Sequence, residues 1–282
     1  MSDENSYYAW GEIEKVRAKM LVDTREVEFV DYGAGRGRDC LEDGSKTAYS
    51  LENGSGAAYS LVFSERRRVS DIAKGSLAKK RYAQMLARLV NWLGGPLLTS
   101  PSRGGIGDWR WAIGDGRWAI GDWRLVIGNG LTIVELGTSL GVTTAYMAAM
   151  DKRNRVITYE GCPAVAEIAK ENWEALGLKN IDCRVGEITA DILDRDLERV
   201  DVAFIDANHT YAGTREYFKV LAEKVHTKSV VVVDDIHYNR EMEKAWREIR
   251  EDERVTSTMD LYQMGLVFFD KDYWKRDYRI KV

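Results

Sequence analysis

Two acids near glycine-rich turns raise the first chemical question. Phe29–Gly37 reads FVDYGAGRG and Ile133–Gly141 reads IVELGTSLG. Each puts an apolar run before closely spaced glycines, the pattern of a loop that brings backbone N–H groups up to a nucleotide. One doubly wound domain needs one such loop, so context has to choose. After GAGRG comes RDCLEDGSKTAYSLENGSG, rich in turn formers, with no helix opening. After ELGTSLG a helical pattern starts at once, and a strand, RVITYE, follows it and ends in Glu160. Glu135 to Glu160 is the span of one βαβ step, which makes the second loop the functional candidate and GAGRG the decoy. Glu160, at the carboxyl end of the second strand, is placed to accept hydrogen bonds from ribose hydroxyls. The loop carries Gly137 and Gly141 but no Gly-x-Gly-x-x-Gly, so the dinucleotide fingerprint is absent.

A second group with chemical potential is Asp206, His209, Asp234, Asp235 and His237. Asp206 ends one predicted strand and Asp234 ends the next. If these strands are neighbours they lie about 4.8 Å apart, and their carboxylates converge at the carboxyl edge of the sheet, where doubly wound folds bind ligands. Like charges that close raise one pKa unless a cation sits between them. Mg²⁺ or Ca²⁺ on Asp206, Asp234 and Asp235 is one solution; the ion would hold a substrate hydroxyl and lower its pKa. A metal-free alternative gives the proton to His209 as general base. His237 reads as structural, and Asn239 as the cap of the helix that follows.

The elements that must position these groups alternate from Leu131 onward. Five strand–helix units run to about Asp252, and RVTSTMDLYQMGLVFFD closes the chain as two strands with no helix between them. This predicts an α/β fold, a doubly wound, mostly parallel seven-stranded sheet with one antiparallel strand near its edge. Pro163 stands at a first-turn position. Ahead of the sheet, Ile13–Leu21 and the stretch from Arg66 to Leu93 have helical periodicity. Eight basic residues and one acid between Arg66 and Arg88 read as a solvated helix face. Two tandem repeats interrupt this region. One has a period of ten, at Gly44 and Gly54; the other, of seven, runs from Ile106 to Ile133 and holds four of the nine tryptophans. The expected organisation is an N-terminal helical extension with a Gly/Ser-rich insert at 1–96, a repeat insert at 97–130, and a catalytic domain at 131–282.

The chain has 282 residues, 45% of them hydrophobic, enough for a full core. A net charge of −4 argues against wholesale nucleic-acid binding. No apolar run reaches 18 residues and no signal-type start is present, so a soluble cytoplasmic protein is expected. Three cysteines without CxxC spacing suit reduced thiols. A homodimer, with the tryptophan repeat as its candidate interface, is not compelled by any feature.

The motifs VELGTSLG, ITYEG, VGEI, VAFIDANHTY and VVVVDDIH, with the closing hairpin, resemble class I S-adenosylmethionine-dependent methyltransferases over Leu131 to about Phe269. The small-molecule O-methyltransferase branch is the most similar. The resemblance implies S-adenosylmethionine as cofactor and a small-molecule hydroxyl as acceptor. It implies that Glu135, Gly137, Thr138, Ser139 and Gly141 surround the methionine part, that Glu160 is the ribose acid, and that Gly186 and Glu187 meet the adenine. Asp206 would lie close to the transferring methyl, with Asp206, Asp234 and Asp235 matching the metal acids of the catechol-type branch. Relatives usually carry Asp where this chain has Glu187. Two alternatives stay open: a nicotinamide-dependent oxidoreductase on the same sheet, and a non-catalytic protein that kept the fold.

Overall fold

The computed structural model describes residues 3–31, 47–51, 60–94, 130–272 and 275–280. The decoy GAGRG and the repeats from 106 to 129 lie outside them. In chain order the elements are α1 (Asp3–Val22), β1 (Glu26–Asp31), β2 (Thr47–Leu51), β3 (Ser60–Arg68), α2 (Val69–Ser76) and α3 (Lys80–Gly94). The second half runs β4 (Thr132–Leu136), α4 (Val142–Ala148), β5 (Arg155–Glu160), α5 (Pro163–Ala175), β6 (Ile181–Val185), α6 (Ala190–Asp196) and β7 (Val200–Ile205). It ends with α7 (Tyr211–Lys224), β8 (Val225–Asp234), α8 (Arg240–Glu251), β9 (Ser257–Asp260), β10 (Met264–Phe268) and β11 (Arg276–Arg279).

The main sheet has the order β11-β9-β10-β8-β7-β4-β5-β6. All its pairings are parallel except those of β10, which runs antiparallel to both β8 and β9. The closing hairpin is therefore present, with β10 inserted between β8 and β9. The sheet has eight strands, not the expected seven, because β11 adds parallel to β9 at the edge. Its four residues are all exposed, so Arg276–Arg279 lacks the apolar run by which a strand is read from sequence.

The central strands are buried on both faces, and side chains alternate between two cores. Val134, Leu136, Ala203, Ile205, Val231 and Val233 face α6, α7 and α8, where they meet Leu193, Phe218, Leu221, Met242, Trp246 and Ile249. Ile133, Val202, Phe204, Val230 and Val232 face the other way, against Met147 of α4 and Tyr82, Leu86 and Val90 of α3. The helix α3, from the N-terminal part, thus covers one face of the sheet. It begins later than expected. The stretch from Arg66 is not one helix: Arg66–Arg68 finish β3, and α2 ends at Ser76 before α3 starts at Lys80.

The N-terminal extension is not wholly helical either. Strands β1, β3 and β2 form a separate three-stranded antiparallel sheet. Its β2–β3 hairpin is built from the period-ten repeat, since Thr47–Leu51 of the first copy pairs with Ser60–Phe63 of the second and with Ser64, the residue after it. The strand before GAGRG belongs to this antiparallel sheet and not to a βαβ unit, which agrees with GAGRG being a decoy. Among the described residues no helix is long and apolar enough to cross a membrane.

Candidate active site at the carboxyl edge of the sheet

The loop after β4 is shaped by two glycines in the left-handed region. Gly137 has φ +99°, and a Cβ there would stand 2.2 Å from the carbonyl oxygen of Asp206. Gly141 has φ +74°, and a Cβ would strike the Trp173 indole at 2.5 Å. Only glycine fits either place. Around them the loop is held by hydrogen bonds. The N–H groups of Gly137 and Thr138 donate to the Tyr159 carbonyl (3.0 and 3.1 Å). From α5, Asn172 Nδ2 donates to the Leu140 carbonyl (2.9 Å) and Trp173 Nε1 to that of Gly141 (2.7 Å).

Glu160, at the end of β5, turns toward this loop. Its Oε2 accepts from the Ser139 N–H (2.7 Å) and its Oε1 from the Cys162 N–H (2.9 Å). A carboxylate has about four acceptor directions, so each oxygen keeps one for a further donor. Burial pushes the Glu160 carboxyl upward, against these backbone donors. The Gly186 N–H donates to the Glu160 carbonyl (2.9 Å), which brings the turn of Gly186 and Glu187 beside the same acid. Loop, acid and turn therefore form one continuous rim along β4, β5 and β6.

Glu135 sits beneath the loop and is fully buried. Its Oε2 accepts from Thr144 Oγ1 (2.5 Å) and Thr158 Oγ1 (2.7 Å), while Oε1 has no hydrogen-bond partner. Burial is the main cause that pushes its carboxyl up to about 8.

Asp206 follows β7 and Asp234 ends β8, and these strands are neighbours, with Ile205 opposite Val233. Asp235 comes next at φ +53°. The two acids meet directly. Asp234 is pushed up to about 9, first by burial and then by the charges of Asp206 and Asp235. Burial also raises Asp206, with His209 opposing. His209 Nε2 lies 3.3 Å from Asp206 Oδ1 and 3.5 Å from Asp235 Oδ2. The sequence reading offered Mg²⁺ or Ca²⁺ on Asp206, Asp234 and Asp235 as one of two alternatives. The donor set does not fit: among the described residues no three His, Cys, Asp or Glu side chains are arranged to hold a metal ion. With the Asp234 carboxyl raised by burial and by its neighbours, fewer like charges face one another than a cation was invoked to offset.

His237 stays outside this group. Its Nε2 lies 2.9 Å from Asp260 Oδ2, and its ring centroid lies 5.5 Å from that of Tyr262, the two planes tilted by 31°. Burial would raise Asp260, but the His237 bond and the Tyr262 N–H hold it below the usual carboxylate range. Asn239 caps α8 through the Met242 N–H (2.8 Å) and Pro163 opens α5, both as expected. The sequence reading missed three contributors: Ser76, whose Oγ lies 2.6 Å from Ser139 Oγ; Cys162, which donates to Glu160; and Tyr238, whose ring meets His209 edge-on at 6.0 Å. Cys162 was legible as the residue before Pro163, hence the N-cap of α5. Ser76 gave no signal, because its partner is 63 residues away.

A parallel sheet closed by an antiparallel hairpin, with a glycine loop after its first strand and an acid after its second, is a fold this chain shares with solved O-methyltransferase structures. Residues 134–236 match the family model described as a methyltransferase domain. The chain is 30% identical over 111 residues to the O-methyltransferase imqG of Aspergillus flavus, covering 36% of this chain and 44% of that one. It is 40% identical over 60 residues to a protein-L-isoaspartate O-methyltransferase of Magnetococcus marinus, covering 21% and 25%. It thus spans less than half the length of the curated relatives it matches. Among solved structures, an O-methyltransferase from Bacillus cereus in complex with SAH superposes with a TM-score of 0.50 at 18% identity, over 71% of this chain and 88% of that one. A cofactor-bound protein from MTB gives 0.50 at 17% identity, over 69% and 82%.

Proposed function

We propose that this chain is an S-adenosylmethionine-dependent methyltransferase that acts on a hydroxyl of a small molecule. The observation that carries the reading is Glu160, held by the Ser139 and Cys162 N–H groups between the glycine loop and the Gly186 turn. That is an acceptor placed for a ribose diol, with backbone on both sides of it. The rim fits the cofactor in order. Gly137, Thr138, Ser139 and Gly141, above the buried Glu135, would hold the methionine part; Glu160 the ribose; Gly186 and Glu187 the adenine; Asp206 would lie near the reacting end. When bound, S-adenosylmethionine supplies an electrophilic methyl group, so the protein has mainly to align donor and acceptor.

His209 is the group suited to take the acceptor's proton. Its Nε2 faces the Asp206 and Asp235 carboxylates. In the neutral tautomer with hydrogen on Nε2, the lone pair is on Nδ1, and the carboxylates stabilise the imidazolium that forms on proton uptake. The acceptor as a small molecule follows from the resemblance of the motifs to the small-molecule O-methyltransferase branch. Calorimetric titration with S-adenosylmethionine, and with NADH in a parallel arm, tests the reading. Micromolar binding of S-adenosylmethionine that His209→Ala leaves intact, with methyl transfer to a panel of small hydroxylated acceptors lost in that variant, is the expected result. Binding of NADH in its place would sink the proposal.

A further inference from the structure

The N-terminal part touches the loop at one polar point, and the proton count at that point is informative. Ser76, the last residue of α2, donates its hydroxyl hydrogen to the Ile72 carbonyl at 2.8 Å. A serine hydroxyl has one proton. While Ser76 keeps its bond to Ile72, the donor in the 2.6 Å contact between Ser76 Oγ and Ser139 Oγ is Ser139. Ser139 has also committed its N–H, to Glu160. What its side-chain oxygen still offers is lone pairs alone.

We propose that Ser76 is a positioning residue for the cofactor: by taking the Ser139 proton it leaves the Ser139 oxygen as a pure acceptor, directed at the α-ammonium group of the cofactor's amino-acid end. This rests on the methyltransferase reading above. An oxygen that can only accept suits an ammonium, which has three donors and no acceptor, and is wrong for the carboxylate of the same end. The contact is not an isolated surface bond. Leu140, the next residue of the loop, is buried among Met20 of α1 and Val69, Ile72 and Ala73 of α2. At the ribose acid, the Val30 N–H of β1 donates to Cys162 Sγ (3.3 Å), and that thiol donates back to the Glu28 carbonyl (3.4 Å). The N-terminal module therefore grips both the loop and the residue that donates to Glu160, which holds Ser76 in register with Ser139.

The test compares two ligands by calorimetry on the full chain. S-adenosylhomocysteine has the amino-acid end; 5′-methylthioadenosine has the adenine, ribose and thioether without it. Ser76→Ala is expected to weaken S-adenosylhomocysteine about fivefold, the size of one ordinary hydrogen bond, and to leave 5′-methylthioadenosine within about twofold. Ser76→Thr, which keeps the hydroxyl, restores the binding. Adding Ser76→Ala to Ser139→Ala produces no further loss. Equal binding of S-adenosylhomocysteine by wild type and Ser76→Ala, or equal weakening of both ligands, would overturn the proposal. Failure of the folded wild-type chain to bind either ligand would overturn the methyltransferase reading itself.

Discussion

Glu160 and Glu135 are both acids under one loop, yet they differ in how their charge is met. Glu160 accepts two backbone N–H bonds, which oppose the upward push of its burial. Removing it deletes the acceptor placed for two ribose hydroxyls, an effect of about 1–3 kcal/mol. Glu160→Ala should weaken S-adenosylmethionine roughly ten- to hundredfold in calorimetry while the far-UV circular dichroism stays unchanged. Glu135 accepts only hydroxyls, and one of its oxygens has no partner. Its carboxyl is near 8 when folded against an ordinary 4.5. A raised folded value means that the group's stabilising contribution is present below 4.5 and is lost as pH rises toward 8. In the ligand-free protein, the Tm of wild type should therefore fall relative to that of Glu135→Gln between pH 5 and pH 8, then run parallel above it. Parallel profiles across the whole range would show that Glu135 is already ionised at pH 5.

At the scale of the element, the loop depends on what approaches it from its neighbours. Gly137 has the Asp206 carbonyl against the space a Cβ would fill, whereas Gly177, at φ +67°, has open space there. Gly177→Ala should cost only the left-handed conformation, about 1 kcal/mol. Gly137→Ala adds a clash between β4 and β7 that backbone must move to relieve. Denaturant titration should show a loss at Gly137 at least about 2 kcal/mol larger than at Gly177, and cofactor binding should fail in Gly137→Ala alone. The α5 helix supports the same loop from below. Trp173→Phe keeps the ring that packs under Gly141 but removes the bond to its carbonyl. It should cost about 1 kcal/mol of stability, read from the same titrations.

Over the whole molecule, the additions to the parallel sheet are unequal in weight. Met20 of α1 is fully buried with Leu140, Cys162 and Val165. Met20→Ala should cost about 2–5 kcal/mol and should weaken S-adenosylhomocysteine as well, because the cavity opens directly beneath the loop. The strand β11 is exposed along its length and makes mainly polar contacts, such as Thr258 with Asp277 and Arg279 with Asp260. Deleting residues 275–282 should lower stability by only about 1 kcal/mol and leave cofactor binding intact. A large loss of binding on that deletion would show that the edge of the sheet is coupled to the site.

By itself the sequence determined the parts whose signal is local. Apolar runs of strand length alternating with helical periods specified the strands and helices after Leu131, and ELGTSLG between a strand and a helix outweighed GAGRG without any coordinates. Glu160 and Asp206 were legible for the same reason, as acids that end apolar strands. The tertiary structure alone decided what depends on distance in space. The convergence of Asp206, Asp234 and His209 is a matter of how close neighbouring strands bring them, and it sets the imidazole against Asp206 and Asp235. Strand β11 and the hairpin of β2 and β3 have too little apolar alternation to announce themselves, and form because partners lie alongside. Ser76 reaches Ser139 only because α1, α2 and β1 fold back on the loop. Periodicity encodes which face of an element is buried; it carries no information on which distant element does the burying.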